Sequence, residues 1–357
     1  MTSISRKNIL ALAIAAALAP AAAFAQTTQD FTWYGRIDTA LESNDDGTVS
    51  RTLVQNFASR LGIRGEKKVS GDLSAVFQVE TGVAPDNTAN SKTLASRNSF
   101  VGLKSQSMGT LIMGTHDMPF KTLEGTASQL WGSAEAMEPI IHGKATRAGL
   151  AGASFQNLHT RQTNVVLYTS PKFSDVVFKL AYSPDEVAGA PGTVSKPVYG
   201  ASVEFNNGAW NAGLATETKE NANTVAPAVG NMTGTKATLG MKMGDWSAGL
   251  AFSTLDNSLG KKTSNWLITG SYKMGALTFK GNYGASGESS SGADDALNMI
   301  GLEVDYSLDK AITLYTYYTA IDNGTKARGA FVNADDNFTP VAGKDPKALG
   351  FGIRYNF

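Results

Sequence analysis

The sequence predicts an all-β fold, a transmembrane antiparallel β-barrel of about 16 strands, with one connection long enough to occupy the lumen. Three observations predict it. Apolar and polar residues alternate with period two in segments close to the roughly 9–11 residues that a tilted strand needs to cross a bilayer. The connections between those segments alternate between short and long. The chain opens on an export signal, and after it no stretch approaches the roughly 18 apolar residues of a membrane helix, so any membrane span has to be a strand.

The export signal comes first. Arg6 and Lys7 lead an apolar run from Ile9 to Ala19, and Ala23-Phe24-Ala25 forms a small-residue cleavage site before Gln26. Residues 1–25 are therefore expected to be a signal peptide and residues 26–357 the mature barrel domain. Without Arg6 and Lys7 the chain holds 29 basic residues against 31 acidic, a net charge near −2. That balance excludes a broadly basic nucleic-acid surface, and no nucleic acid is expected as a partner. Cysteine is absent, which removes disulfide scaffolds, thiol nucleophiles and thiolate metal sites. With 37 glycines, only 11 prolines and many Thr, Tyr and Phe, the composition favours strands joined by tight turns.

The first strand is predicted at Phe31 to Glu42, where Trp33, Ile37 and Leu41 alternate with Tyr34, Arg36, Asp38 and Glu42. The second, Phe57 to Glu66, sets Phe57, Leu61 and Ile63 against Arg60, Arg64 and Glu66. The third puts Leu73, Ala75, Phe77 and Val79 opposite Ser74, Gln78 and Glu80. The fourth and fifth, Arg97 to Lys104 and Thr110 to Thr115, are joined by a turn at Ser105 to Gly109. Later segments repeat the scheme through Trp246, Ala248, Leu250 and Phe252, then Trp266, Ile268 and Tyr272, then Leu277, Phe279 and Tyr283. The last strand shows Leu349, Phe351, Ile353, Tyr355 and Phe357 on one face and Gly350, Gly352, Arg354 and Asn356 on the other.

Short turns are predicted at Lys67 to Gly71, Pro171 to Ser174, Asn206 to Gly208, Gly244 to Asp245, Met274 to Ala276 and Ser307 to Lys310. Between them run longer polar stretches: Asn44 to Gln55, Ala84 to Ser96, Asp185 to Lys196, Thr218 to Gly234, Asp256 to Thr263, Ala285 to Asp295 and Asp322 to Pro346. Short on one side and long on the other is the layout of an outer-membrane barrel, with turns in the periplasm and loops outside. Lipid offers a free sheet edge no partner, so the last strand is expected to close on the first. Aromatics beside turns, such as Trp33 with Tyr34, Phe205 with Trp210, and Trp246, Tyr272 and Tyr283, read as interfacial girdles.

One connection differs. From His116 to Thr160 the alternation disappears, and the segment carries Pro119, Trp131, Gly132 and Pro139 with a helix-tolerant piece around Gly132 to Glu138. A loop of that length in a compact domain is functional or packed inside something, and in a barrel the inside is the available place. His116, His142 and His159 all lie in or beside it and show no zinc-ligand spacing. The acidic pairs in Asp45-Asp46-Gly47, Asp294-Asp295 and Asp335-Asp336 read as solvated loop residues rather than a cation site. Gly350-Phe351-Gly352 lies in a strand, away from the strand-to-helix turn that a nucleotide loop requires. No cofactor and no metal is expected.

Several segments together resemble the general-diffusion porins of Gram-negative bacteria, in particular the betaproteobacterial type. They are Trp33-Tyr34-Gly35-Arg36-Ile37-Asp38; Ser59-Arg60-Leu61-Gly62-Ile63-Arg64-Gly65-Glu66; Ser99-Phe100-Val101-Gly102-Leu103-Lys104 before a Gly-Thr turn; Tyr168-Thr169-Ser170-Pro171; and Gly352-Ile353-Arg354-Tyr355-Asn356-Phe357. The resemblance runs in order through the whole mature chain. It implies a sixteen-stranded homotrimer in the outer membrane, contacting lipid and lipopolysaccharide and inserted by the barrel-assembly machinery. Small hydrophilic solutes and ions would pass by passive diffusion, and the third extracellular loop, here residues 116–160, would fold inward to narrow the pore.

The resemblance also implies a constriction that opposes basic wall residues to acidic loop residues, a transverse field that orients dipolar solutes. Arg36 and Arg60 match two wall positions and fall on the wet parity of their strands, and Arg161, seven residues before Tyr168, matches a third. A charge facing lipid at mid-depth would cost about 2–4 kcal/mol, which also directs Arg36 and Arg60 to the lumen. Arg64, Arg97 and Lys280 read as lumen wall outside the constriction. Glu124, Glu135 and Glu138 are the acidic loop candidates, with Glu138-Pro139 most like the family's acidic segment. Phe357, with Tyr355, matches the terminal assembly signal. Two positions depart from the pattern. Gly114-Thr115-His116 stands where the family commonly has Gly-Arg, and Leu167 stands where an arginine often precedes the tyrosine. Their loss implies a weaker anion preference unless Lys121, Lys144 or Arg147 compensates. A substrate-specific channel with a solute-binding pore is the alternative, whereas an enzyme or adhesin is disfavoured because the histidines gather around the loop rather than in a catalytic group at the rim.

Overall fold

The computed structural model describes residues 31–86, 93–143, 146–147, 158, 160–185, 194–223, 230–258, 262–289, 294–331 and 340–357. The expected signal peptide, Lys144, His159 and Asp335-Asp336 lie outside the described residues, and Arg147 is described in its backbone alone. The barrel strands are β1 (Phe31–Asp45), β2 (Ser50–Asn56), β3 (Arg60–Ser70), β4 (Leu73–Gly82), β5 (Ser99–Ser105), β6 (Gly109–Asp117), β7 (Arg161–Thr169), β8 (Val176–Ser183) and β9 (Val198–Asn206). They continue with β10 (Trp210–Asn223), β11 (Gly230–Met243), β12 (Trp246–Asp256), β13 (Thr263–Met274), β14 (Leu277–Ser286), β15 (Leu297–Ser307), β16 (Ile312–Asn323) and β17 (Lys347–Asn356). Every neighbouring pair is antiparallel. β1 pairs with β2 along one half and with β3 along the other, so these two share one place and the sheet closes with 16 strand positions.

Closure falls where the tail's alternation predicts it. β1 pairs with β17 from Arg36↔Asn356 to Asp45↔Lys347, and Gly35 and Phe357 exchange two backbone hydrogen bonds of 2.8 and 3.1 Å. No edge is left for lipid to satisfy. Most bulky apolar residues of the strands stand outward, apart from those such as Leu267 and Met299 that are buried against the loop. Leu250, Ile268, Tyr283 and Ile300, side by side across β12 to β15, are all exposed. A continuous belt of this kind requires an apolar solvent, which a bilayer supplies. Beside the Gly244-Asp245 turn the rings of Trp246 and Tyr272 stack at 4.3 Å, consistent with an aromatic girdle.

Two predicted connections are largely strand. Within Asn44 to Gln55 only residues 46–49 turn, and within Thr218 to Gly234 strands β10 and β11 run to Asn223 and from Gly230. Thr218 meets Thr233 across that ladder at 3.1 Å. These strand ends carry polar residues on both faces, so period two vanishes while the hydrogen bonds continue. Phe57 also differs from its predicted outward face. Pairing passes from Thr39↔Asn56 to Arg36↔Arg60, which puts one extra residue on the second strand. This bulge, with Ala58 at φ 53°, turns Phe57 inward, where it is fully buried.

The segment after β6 forms α1 (Pro119–Thr122) and short helical turns at Gly125–Ala127, Gly132–Ala134 and Met137–Ile141. It packs on the face of the wall opposite the apolar belt. Thr126 donates to the Ala248 carbonyl at 3.0 Å, and the Trp131 backbone N–H donates to Glu303 at 3.0 Å. Ser133 donates to Glu42 at 2.6 Å, Asn282 to the Ala134 carbonyl at 2.9 Å, and Ser253 to the Ile141 carbonyl at 2.7 Å. Met137, Ile140 and Ile141 are buried in one apolar cluster with Leu267, Met299 and Ile321 of the wall. Glycine permits the approach: a Cβ on Gly249 would stand 2.2 Å from the Thr126 carbonyl oxygen, and one on Gly301 2.4 Å from that of Ala134.

Candidate functional site

Arg36 and Arg60 are direct cross-strand partners on β1 and β3. Both lie on the inward parity and remain half-buried. The Arg36 Nε donates to Asn356 Oδ1 at 2.9 Å, and its guanidinium lies 5.1 Å from the centre of the Trp131 ring. Arg60 stands 4.0 Å from Glu80. That carboxylate is shared, because Arg97 bonds it at 2.5 Å and the Tyr34 hydroxyl donates to it at 2.9 Å. Arg354 pairs with the buried Asp38 at 2.7 Å, which also accepts from Tyr315 at 2.5 Å. Three guanidinium groups thus meet two carboxylates, and Arg36 beside them makes four cations to two anions in this group.

Arg161 stands apart from that group. It pairs with Asp117 at 3.1 Å and donates to Asn98 at 2.7 Å, while Lys121 takes the other Asp117 oxygen at 2.8 Å. Asn98 follows Arg97 in the chain. Leu167 is buried with Met118 and Val165, so this part of the inner wall is apolar.

Glu135 and Glu138 lie together, with the Glu138 backbone N–H 3.1 Å from both Glu135 carboxylate oxygens. Burial, and then the neighbouring Glu138 and Glu124, holds the Glu135 carboxyl well above the usual carboxylate range. Burial also raises Glu124, against the attraction of Lys236. Lys236, fully buried on β11, bonds His142 at 2.8 Å. The structure brings Arg36 to Arg60 and Glu135 to Glu138, with Glu124 near enough to act on Glu135, and leaves Arg161 with Asp117 and Lys121. Glu80, Arg97, Trp131, Lys236, Glu303, Tyr315 and Tyr317 complete the inner wall and its loop contacts. Inward parity marks Glu80 and Lys236, whereas no local signal gives the partners of Trp131.

A family model described as Gram-negative porin matches residues 11–326. The chain belongs to this family. Among curated relatives, the major outer membrane protein P.IB of Neisseria gonorrhoeae is 29% identical over 198 residues, covering 52% of this chain and 51% of that protein. An outer membrane porin protein of Bordetella pertussis is 31% identical over 199 residues, covering 50% and 48%. The chain spans about half the length of these relatives. Outer membrane porin protein 32 of Delftia acidovorans is 25% identical over 372 residues, covering 99% and 100%. Among solved structures, an anion-selective porin from Comamonas acidovorans superposes with a TM-score of 0.80 at 21% identity, covering 92% of this chain and 100% of that one. Salmonella typhi OmpF, in complex with daunomycin, superposes with a TM-score of 0.68 at 15% identity, covering 92% and 98%. This porin shares their fold, a closed barrel of the outer membrane.

Proposed function

We propose that this porin is a water-filled channel for passive diffusion of small hydrophilic solutes and ions, with residues 116–160 as the inward-folded loop that narrows it. One observation carries the reading: the described part of this loop hydrogen-bonds to side chains on the polar-parity face of β1, β12, β14 and β15. That face is the lumen side of a closed barrel, and a loop fixed there reduces the open cross-section. The mechanism needs no covalent chemistry, because the barrel satisfies its backbone internally and the wet interior admits hydrated solutes.

Arg36, Arg60 and Arg161 form the basic wall of the constriction and Glu124, Glu135 and Glu138 its acidic loop side. The surplus cations around Arg36 support a preference for anions, moderated by Thr115 and Leu167. The apolar belt supports contact with lipid, and the porin family reading brings with it lipopolysaccharide contact and assembly as a homotrimer. Phe357, whose ring lies 5.6 Å from that of Tyr355, is the signal read by the barrel-assembly machinery, after removal of residues 1–25 at export. Replacing both wall arginines, Arg36→Gln with Arg60→Gln, shifts the reversal potential under a salt gradient toward cations. An unchanged reversal potential would sink the assignment.

A further inference from the structure

We propose that Trp131 is a positioning residue for ion selection: its indole face holds the Arg36 guanidinium toward the open lumen, and ion preference depends on that contact. The proposal deepens the reading of Arg36 and Arg60 as pore wall, and rests on it.

Arg36 sits in a repulsive environment. Arg60 is its cross-strand partner, and Arg354 and Arg97 stand on the same stretch of wall. Glu80 and Asp38 are engaged by Arg97 and Arg354. A long, flexible cation so placed would swing out of the field. Two contacts oppose this: the bond from Nε to Asn356 Oδ1 at 2.9 Å and the ring of Trp131 at 5.1 Å. A cation over an indole at a half-exposed site favours the stacked rotamer by roughly 2–5-fold.

The ring can serve as a fixed support because it is itself held. Its backbone N–H donates to Glu303 at 3.0 Å, and Lys280 clamps Glu303 at 2.7 Å. The indole N–H donates to the Phe57 carbonyl at 3.4 Å, and the ring packs against a buried cluster that includes Phe57 and Tyr317. Gly132 follows with φ +66° and a Phe57 ring atom 3.0 Å from where its Cβ would stand, so the chain turns away immediately. Packing alone would ask only for apolar bulk at position 131. Holding Arg36 asks for an aromatic face, and that difference makes the two roles separable.

The test is the reversal potential of single channels under a salt gradient for the full-length mature porin and the variants Trp131→Phe, Trp131→Leu, Arg36→Gln and Trp131→Leu with Arg36→Gln. Trp131→Phe is expected to keep the parental value and Trp131→Leu to move toward Arg36→Gln. In the double variant Trp131→Leu should add nothing to Arg36→Gln, since the guanidinium it positions is gone. Trp131→Leu at the parental value beside a shifted Arg36→Gln would overturn the proposal and leave the pore-wall reading standing. A Trp131→Leu shift that persists in full without Arg36 would also overturn it, by assigning the effect to pore shape. An Arg36→Gln channel with the parental value would overturn both.

Discussion

Glu42 is fully buried on β1 and accepts from four donors: Tyr317 at 2.5 Å, Ser133 at 2.6 Å, Asn44 at 2.9 Å and Gln55 at 3.4 Å. The Tyr317 hydroxyl donates to a charged acceptor, so Tyr317→Phe should cost about 1.5–3 kcal/mol. Heat-induced conversion of the folded barrel to its unfolded electrophoretic form should occur at a lower temperature, and an unchanged temperature would contradict the role. Glu135 has a pH signature. Its folded carboxyl titrates above the ordinary 4.5, so its contribution to stability is complete below that value and is lost as pH rises through the folded one. Raising pH above the ordinary carboxylate range should therefore weaken the barrel, and Glu135→Gln should remove part of that dependence. The inward parity of Arg36 and Arg60 was legible in the sequence, because each alternates with an apolar neighbour on its strand. Tyr315 and Tyr317 were not, because their partners Asp38 and Glu42 lie on a strand at the far end of the chain and meet them only at closure.

At the scale of strands, burial follows the bilayer rather than water. Leu250 is exposed in the middle of β12 beside Ile268, so Leu250→Lys should cost about 2–4 kcal/mol of folding free energy in lipid, measurable by denaturant titration in liposomes. A neutral result would place that face out of the membrane. Strands crossing the apolar layer were legible from alternation, since lipid outside and water inside impose opposite chemistries. The strand ends around Asn44 and Thr218 were not, because both of their faces are polar. The bulge at Ala58 was hidden too, since it arises from how β1 pairs with two segments and leaves no mark in the local pattern. The loop's path left a faint trace in the inward glycines Gly240, Gly249 and Gly301, where a side chain would collide with Thr126 or Ala134.

For the molecule as a whole, alternating strands, alternating connections and a tail that pairs with the head lead to one topology, because a sheet in lipid has to close. Barrel and strand count were therefore legible, while the wall's cation cluster required the closed register that sets β17 beside β1 and β1 beside β3. The proposed channel is an open, passive, water-filled path through this closed barrel. Solute influx into liposomes containing the purified mature protein tests it most directly: uptake of a small neutral sugar should appear with the protein and rise linearly with sugar concentration. No uptake, or uptake that saturates at low concentration, would contradict the account, the second in favour of a solute-binding pore.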